Sequence, residues 1–165
     1  MTTLFLDFTG TAEGFKPVWK VDEKFAEMIR SESKPQRIVV IDKAVTGAAD
    51  GPVVVRDHIN LTGHSPLCGP NHPCGERFPV VQGIYTPDAL PELPKVVAAG
   101  LVGGVKPSDD EVKLMKDLGA EAACYNLVGA MLVAAHAKCE VVGVLVKDAV
   151  TPELAAKLKA AGEKK

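Results

Sequence analysis

The chain has 165 residues, of which 47% are hydrophobic and 24% charged, and its formal net charge at pH 7 is −2. This composition is ordinary for a globular protein, and the length predicts a single domain over residues 1–165. The weak charge excludes a basic nucleic-acid-binding surface, and no apolar run reaches the roughly 18–20 residues of a membrane span. We therefore expect a cytoplasmic protein with unpaired cysteines and with no nucleic-acid or membrane partner.

The first half of the chain predicts three strands and one helix. A short strand is expected at residues 4–6, followed by a turn rich in glycine and threonine at 9–14. Apolar residues at helical spacing predict an amphipathic helix at 21–32. The β-branched runs at 37–42 and 52–57 predict two strands, the first of which is covered on both faces.

The second half of the chain alternates strands and helices. Strands are expected at residues 95–104, 121–126 and 140–146, and helices between Ser108 and Gly119, at 127–137, and between Thr151 and Gly162. Ser108 and Glu111 form a capping-box pattern, Thr151 precedes Pro152 as an N-cap, and Gly119 and Gly162 are expected just after their helices end. This alternation predicts an α/β fold with a mostly parallel sheet.

The stretch 60–77 holds too many prolines and glycines for regular structure, and loops of that length usually carry function or contacts. It contains metal-ligating and nucleophilic side chains: His64, Cys68, His72 and Cys74. A zinc site would use such ligands, but the C-x3-H-x-C spacing matches no common zinc motif, so we favour unconnected polar side chains and no metal. A cysteine nucleophile with a histidine base is a second interpretation of this loop. We favour incidental thiols instead, because the sequence does not fix the geometry that activation needs.

Two further features have a functional and a structural interpretation. The glycine-rich segment 100–104 lies between a strand and a capped helix, but it has neither common phosphate-loop pattern, and Asp109, Asp110 and Glu111 add negative charge. These features argue against phosphate at that helix. His136 lies near the end of an apolar helix, where the helix dipole favours it, so we expect a structural role.

Four blocks of the sequence, in order, resemble the trimeric purine nucleoside phosphorylases, the family that includes methylthioadenosine phosphorylase. They are TGAADG (46–51), DHIN (57–60), the segment from SPLCGPN to RFP (65–79), and the segment from VKLMKDLG to VVGVLV (112–146). The similarity covers residues 37–148 and implies a central mixed, mostly parallel sheet flanked by helices, reduced in size and without a family helix between Tyr85 and Lys95. Because the R-F-P loop contributes to trimer packing in that family, the resemblance also implies a homo-oligomer, expected to be a trimer.

The resemblance implies positions for substrate contacts. Members of the family cleave purine nucleosides with phosphate as the co-substrate and without a further cofactor. By position, the backbone amide of Ala48 would contact phosphate, and Tyr125 and Asn126 stand in a segment that contacts the ligand. Phe78 would reach into the nucleoside site of the neighbouring subunit.

Other ligand positions of the family are replaced or absent. The first 36 residues contain neither the Gly-Ser-Gly loop nor the G-R-x-H motif, and Lys106 and Pro107 stand where an aromatic residue and an acid would grip the purine. Ala149 falls near the position of a purine-binding asparagine. Since losing one such donor typically costs on the order of 10²–10³ in rate, the sequence predicts a degenerate site that lacks phosphorolysis but keeps a pocket for a purine nucleoside, nucleobase or other small ligand.

Two alternatives remain open at this point. The first is an active enzyme with a remodelled site for a nucleoside-like substrate, in which Asp57, His58 and Asn126 are the catalytic candidates. The second is a non-enzymatic assembly or regulatory subunit that pairs with a full-length relative.

Overall fold

The structure is a computed structural model, and it describes residues 2–31 and 34–163. Its strands are β1 (Thr3–Asp7), β2 (Lys16–Pro17), β3 (Arg37–Lys43), β4 (Val53–Asn60), β5 (Lys95–Gly100), β6 (Ala122–Cys124) and β7 (Glu140–Val146). Its α-helices are α1 (Glu23–Arg30), α2 (Asp109–Asp117), α3 (Leu127–His136) and α4 (Pro152–Glu163), and a short 3₁₀ helix spans Pro87–Ala89.

The seven strands form one sheet in the order β2-β1-β3-β7-β4-β5-β6. Neighbouring strands are parallel except β4 and β7, which are antiparallel. The predicted α/β fold with a mixed, mostly parallel sheet is therefore confirmed. Beyond β3 the chain reaches β6, where Thr46 forms an isolated antiparallel bridge with Ala123.

The sheet is covered on both faces, as its apolar strands require. In β3 and β7 every residue except Lys43 and Glu140 is buried, which confirms the prediction from the β-branched runs. One core cluster packs α1 and α3 against the sheet, and a second packs α4 against the opposite face. Eight of the ten residues of α3 are buried, and this explains its almost uniformly apolar sequence.

Side-chain caps fix the starts of three helices. Asp22 accepts a hydrogen bond from the Phe25 backbone at the start of α1. Both bonds of the predicted capping box between Ser108 and Glu111 are formed at α2. The Thr151 hydroxyl accepts from the backbone of the third residue of α4, as predicted.

Several predicted boundaries were wrong. The first helix begins at Glu23, because Asp22 caps it, and it ends at Arg30; the predicted end at residue 32 lies outside the described residues. The strand expected at 95–104 ends at Gly100, where the chain turns into the loop before α2, and that expected at 121–126 is limited to Ala122–Cys124. Strand β4 continues to Asn60, because it pairs with β5 over that length.

The prediction that Gly162 follows the end of α4 was wrong, because Gly162 lies within the helix. Its role is close packing, since a Cβ atom there would lie 2.7 Å from the ring of Phe5. Its carbonyl also accepts a hydrogen bond of 2.7 Å from the hydroxyl of Thr3. Strand β2 is not predicted from the sequence, because it has only two residues.

Candidate functional site

A cavity of about 290 Å³ lies at the carboxyl ends of β4, β5 and β6. Its lining residues come from these strand ends, from the start of α3 and from the segment before α1: Lys20, Val21, Asn60, Thr62, His64, Pro66, Leu101, Val102, Gly103, Tyr125, Asn126, Gly129 and Leu132. Ligands of open α/β sheets bind characteristically in such crevices. The volume lies just below the roughly 300–1,000 Å³ that is common for small-molecule sites. We call this space the strand-end cavity.

Hydrogen bonds within the protein hold the polar wall of the strand-end cavity. The Tyr125 hydroxyl donates to the Val105 carbonyl at 2.8 Å, which fixes one end of the ring. The Asn60 side chain accepts from the Thr62 hydroxyl at 2.6 Å and donates to the His64 carbonyl at 3.0 Å. The turn after β4 is therefore pinned by Asn60, and this amide is already occupied within the protein.

A buried carboxylate from β3 caps the start of α3. Asp42 is 1% exposed and accepts hydrogen bonds from the backbone N–H groups of Asn126 and Leu127 at 2.7 and 2.8 Å. The Asn126 side chain and the Lys43 backbone also donate to it, at 3.2 and 2.8 Å. Burial raises the pKa of the Asp42 carboxyl above its ordinary value, and these hydrogen bonds act in the opposite direction. The first N–H groups of α3, which would otherwise suit an anion, are thus committed to Asp42.

The strand-end cavity brings together two of the predicted substrate-binding residues, Tyr125 and Asn126. Ala48 lies elsewhere, in a separate cleft of about 220 Å³ that Ala149 also lines. Phe78 is 83% exposed, and its ring lies 6.0 Å from the guanidinium carbon of Arg77. Within the described chain Ala48, Phe78 and the cavity at Tyr125 therefore do not form one pocket.

Asp57 and His58 lie on β4 outside the lining of the strand-end cavity. The Asp57 carboxylate accepts from the backbone N–H of His58 at 2.8 Å. The His58 ring packs edge to face on Tyr85 with 5.9 Å between ring centroids, and desolvation lowers the pKa of His58, with Asp57 acting in the opposite direction. The Nδ1 atom of His58 and the hydroxyl of Tyr85 are buried, and neither has a hydrogen-bond partner within the described structure.

The remaining candidate positions lie in loops. Pro107 lines a neighbouring apolar groove with Leu61 and Leu114, and Lys106 lines neither that groove nor the strand-end cavity. Across residues 2–31 and 34–163, no three His, Cys, Asp or Glu side chains stand close enough together to hold a metal ion.

Several lining residues were not singled out from the sequence. The sequence does not predict Lys20 or Asn60 as ligand contacts, and it raises His64 only as a metal ligand or as the base of a loop cysteine. Asn60 could have been found, because it ends β4 within the D-H-I-N block, at the edge where parallel strands place ligand-binding residues. Lys20 carried no such signal, because only the tertiary fold brings the segment before α1 to this edge.

The fold is that of the nucleoside phosphorylases. A schistosome purine nucleoside phosphorylase in complex with hypoxanthine superposes with a TM-score of 0.63 at 18% identity, covering 78% of this chain and 57% of that one. A Schistosoma mansoni purine nucleoside phosphorylase with a monocyclic inhibitor gives a TM-score of 0.63 at 20% identity over 76% of this chain and 56% of the other. At these identities the similarity concerns the fold alone.

Sequence comparison leads to the same class of protein. Purine nucleoside phosphorylase 1 of Bacillus subtilis (strain 168) is 31% identical over 104 residues, or 56% of this chain and 38% of the relative. The purine nucleoside phosphorylase of Mycobacterium tuberculosis is 34% identical over 100 residues, or 56% of this chain and 35% of the relative. No family model matches the chain.

The chain is therefore related to the purine nucleoside phosphorylases, over the part of its sequence that these matches cover. It spans little more than a third of the length of the curated relatives that it matches. No helix in the described ranges is long and apolar enough to cross a membrane.

Proposed function

We propose that this chain binds a purine nucleoside or nucleobase in the strand-end cavity and does not carry out phosphorolysis of the kind that its relatives' names imply. The observation that carries the proposal is the position of Tyr125 and Asn126, which line a cavity at the carboxyl ends of three parallel strands. Related structures hold hypoxanthine or guanosine. A purine ligand in the strand-end cavity would be consistent both with those relatives and with the geometry of this chain.

The walls of the cavity suit a flat, partly apolar ligand. Tyr125 offers an aromatic ring whose hydroxyl is already bonded, so its face is the part available for stacking. Leu101 and Val102 add apolar surface on the side of β5. Most amide groups in the wall bond to the protein itself, so we expect modest affinity that depends mainly on stacking.

The electrostatics of the cavity argue against phosphate as a co-substrate. Phosphoryl and phosphate ligands need preorganised cations or several N–H donors. Lys20 is the one lysine or arginine among the described lining residues. Its Nζ atom lies 3.4 Å from Oδ2 of Asp22, with which it forms a salt bridge. The amides at the start of α3 are already bonded to Asp42 and are therefore not free to bind an anion. A site of this kind needs no metal or organic cofactor.

We further propose that the chain works as a homo-oligomer, a trimer by analogy with the family, in the cytoplasm. Phe78 and Val80 are 83% and 73% exposed on the loop that follows β4, and covering them would remove two large apolar side chains from water. The four free thiols suit a reducing compartment.

A second candidate function is that of an assembly or regulatory subunit for a longer relative. The apolar groove beside α2 favours it, because Val102, Val105 and Leu114 are each more than half exposed there. Light scattering coupled to gel filtration separates the two: a stable trimer of this chain alone supports the first proposal, and a monomer that joins a full-length phosphorylase supports the second.

Calorimetric titration with guanosine, hypoxanthine and inorganic phosphate tests the binding proposal. We expect heat from guanosine or hypoxanthine, none from phosphate, and roughly 5- to 150-fold weaker binding in Tyr125→Ala, since base–aromatic stacking contributes roughly 1–3 kcal/mol. Tyr125→Phe keeps the ring and should bind nearly as the native protein does. Leu114→Ala, in the neighbouring groove, is the matched control and should leave binding unchanged.

Two results would contradict the proposal. One is the absence of any response to guanosine and hypoxanthine in folded protein. The other is phosphate-dependent release of free base from guanosine, which would favour the active enzyme with a remodelled site. In that case Asp57→Ala and His58→Ala should abolish turnover without unfolding the protein.

A further inference from the structure

A second constellation lies at the other end of α3, where the loop after β4 meets the last residue of the helix. The thiol of Cys74 lies 3.3 Å from Nδ1 of His136, and Nε2 of the same ring lies 2.9 Å from Oδ1 of Asn71. His136 is 2% exposed, whereas Cys74 is partly open to solvent. A helix of ten residues is about 15 Å long, so this cluster is separate from the strand-end cavity at the start of α3.

The hydrogen bonds assign the protonation of the imidazole. The side-chain amide of Asn71 donates to the Gly75 carbonyl at 3.0 Å, which turns its oxygen toward His136. An oxygen can only accept, so Nε2 of His136 carries the proton and Nδ1 presents its lone pair to Cys74. The thiol of Cys74 is thus the donor to a ring whose orientation Asn71 fixes.

The loop is held tightly against the end of the helix. A Cβ atom at Gly75 would lie 2.0 Å from the carbonyl oxygen of His136, so only glycine permits this approach. The backbone N–H of Cys74 donates to Nδ1 of His72 at 3.2 Å, which positions the residue that carries the thiol. The arrangement therefore exists before any ligand arrives.

We propose that Cys74, His136 and Asn71 form a nucleophilic thiol site, with Cys74 as nucleophile, His136 as general base and Asn71 as the residue that positions the ring. A nucleophile bonded to a base that a third group orients is the arrangement that activates serine and cysteine in acyl transfer. Desolvation, followed by the charges of Arg30 and His72, lowers the pKa of His136, so the ring is neutral at pH 7 and able to accept a proton.

The substrate class is a small ester or thioester with a short apolar acyl group. A cavity of about 280 Å³ adjoins His136, and Pro79 and Ile84 give it an apolar wall. Glu76, Lys138 and Glu140 also line it, so the apolar wall offers space for a short acyl chain only. The site rests on contacts of its own and is independent of nucleoside binding.

The reaction at this site balances without a further reactant except water. The Cys74 thiol gives its proton to Nδ1 of His136 as sulfur attacks the carbonyl carbon, and the bond from that carbon to the leaving oxygen or sulfur breaks. The leaving group takes the proton from His136, and an acyl thioester remains on Cys74. Water then attacks the thioester, which releases the carboxylic acid and restores the thiol.

Acylation by p-nitrophenyl acetate tests the proposal. The rate is measured from the release of nitrophenol, and mass spectrometry of the cysteine peptides identifies the acylated residue. Cys68 is the matched control within the chain, because it is exposed on the same loop and no described histidine bonds to its thiol. We expect acetylation of Cys74 in preference to Cys68, its loss in Cys74→Ser, and an unchanged rate in Cys68→Ser. His136→Gln should slow acetylation by roughly 10²-fold, the lower end of general-base effects.

Two variants of Asn71 show whether this residue positions the His136 ring for reaction or only makes a structural contact. Asn71→Ala should slow acetylation of Cys74, and Asn71→Asp, which keeps an acceptor for the Nε2 proton, should restore it. This pair also decides the matter if His136→Gln fails to fold. The proposal is overturned if Cys74 reacts no faster than Cys68, or if folded Asn71→Ala reacts at the native rate.

Discussion

The buried carboxylate of Asp42 should be the largest single polar contribution to the stability of this fold. Asp42→Ala removes the acceptor for four hydrogen bonds of 2.7 to 3.2 Å. The N–H groups of Asn126 and Leu127 would lose their partners at the start of α3. A buried donor without a partner costs about 1–3 kcal/mol, so two of them, partly reached by water, should cost about 3 kcal/mol.

Thermal unfolding measures this effect. For a chain of this size 1 kcal/mol shifts the melting temperature by about 2–4 °C, so Asp42→Ala should melt about 6–12 °C lower. Asp42→Asn keeps the shape and one acceptor oxygen, but it turns a donor toward N–H groups, so we expect a smaller loss of about 1–2 kcal/mol. Asp148→Ala is the control, because Asp148 is exposed, and it should change stability by less than about 0.5 kcal/mol. If Asp42→Ala melted as Asp148→Ala does, the Asp42 cap would contribute nothing to the stability of the fold.

Three further predictions concern pH, packing and capping. The pKa values of His58 and His136 lie below their ordinary 6.5, so the unfolded state takes up protons first as pH falls. The free energy of unfolding should therefore fall as pH drops from about 7.5 toward 5.5 and level off below the folded-state pKa values. Urea titrations across that range would show this fall, and a flat profile would contradict it. Gly162→Ala should lower the free energy of unfolding by about 1–3 kcal/mol, because the new Cβ would overpack the helix. Gly129→Ala should be neutral or stabilising, because its new Cβ would lie 3.5 Å from the nearest atom, Cγ2 of Val21. Equal effects of the two changes on the melting temperature would refute this prediction. Ser108→Ala should cost about 1 kcal/mol in denaturant unfolding, since it removes one side of a formed capping box, and no change would mean that water replaces the cap.

Much of the fold could be predicted from local sequence because local forces decide it. The buried strands β3 and β7 are continuous β-branched runs, and the caps at Ser108 and Thr151 act within four residues of their helices. Gly162 was misplaced because glycine near a helix end has two uses, a turn and a close approach, and only the neighbouring strand shows which applies.

The sites were harder to predict because distant residues form them. Tyr125 and Asn126 could be found from their place in a recognisable block, but Lys20 reaches the cavity only through the tertiary fold. Cys74 and His136 are 62 positions apart, so neither the loop nor the helix alone indicates their contact. The histidine partners considered for Cys74 lay in its own loop, and the structure provides one from α3 instead.

A crystal structure of the protein soaked with guanosine and phosphate would show directly whether the strand-end cavity binds a nucleoside without cleaving it. We predict guanosine in the strand-end cavity with its base against Tyr125, an intact bond between base and sugar, and Asp42 still bonded to the first N–H groups of α3. Guanosine in the cleft between Ala48 and Ala149, phosphate at the start of α3, or free base in the crystal would contradict it.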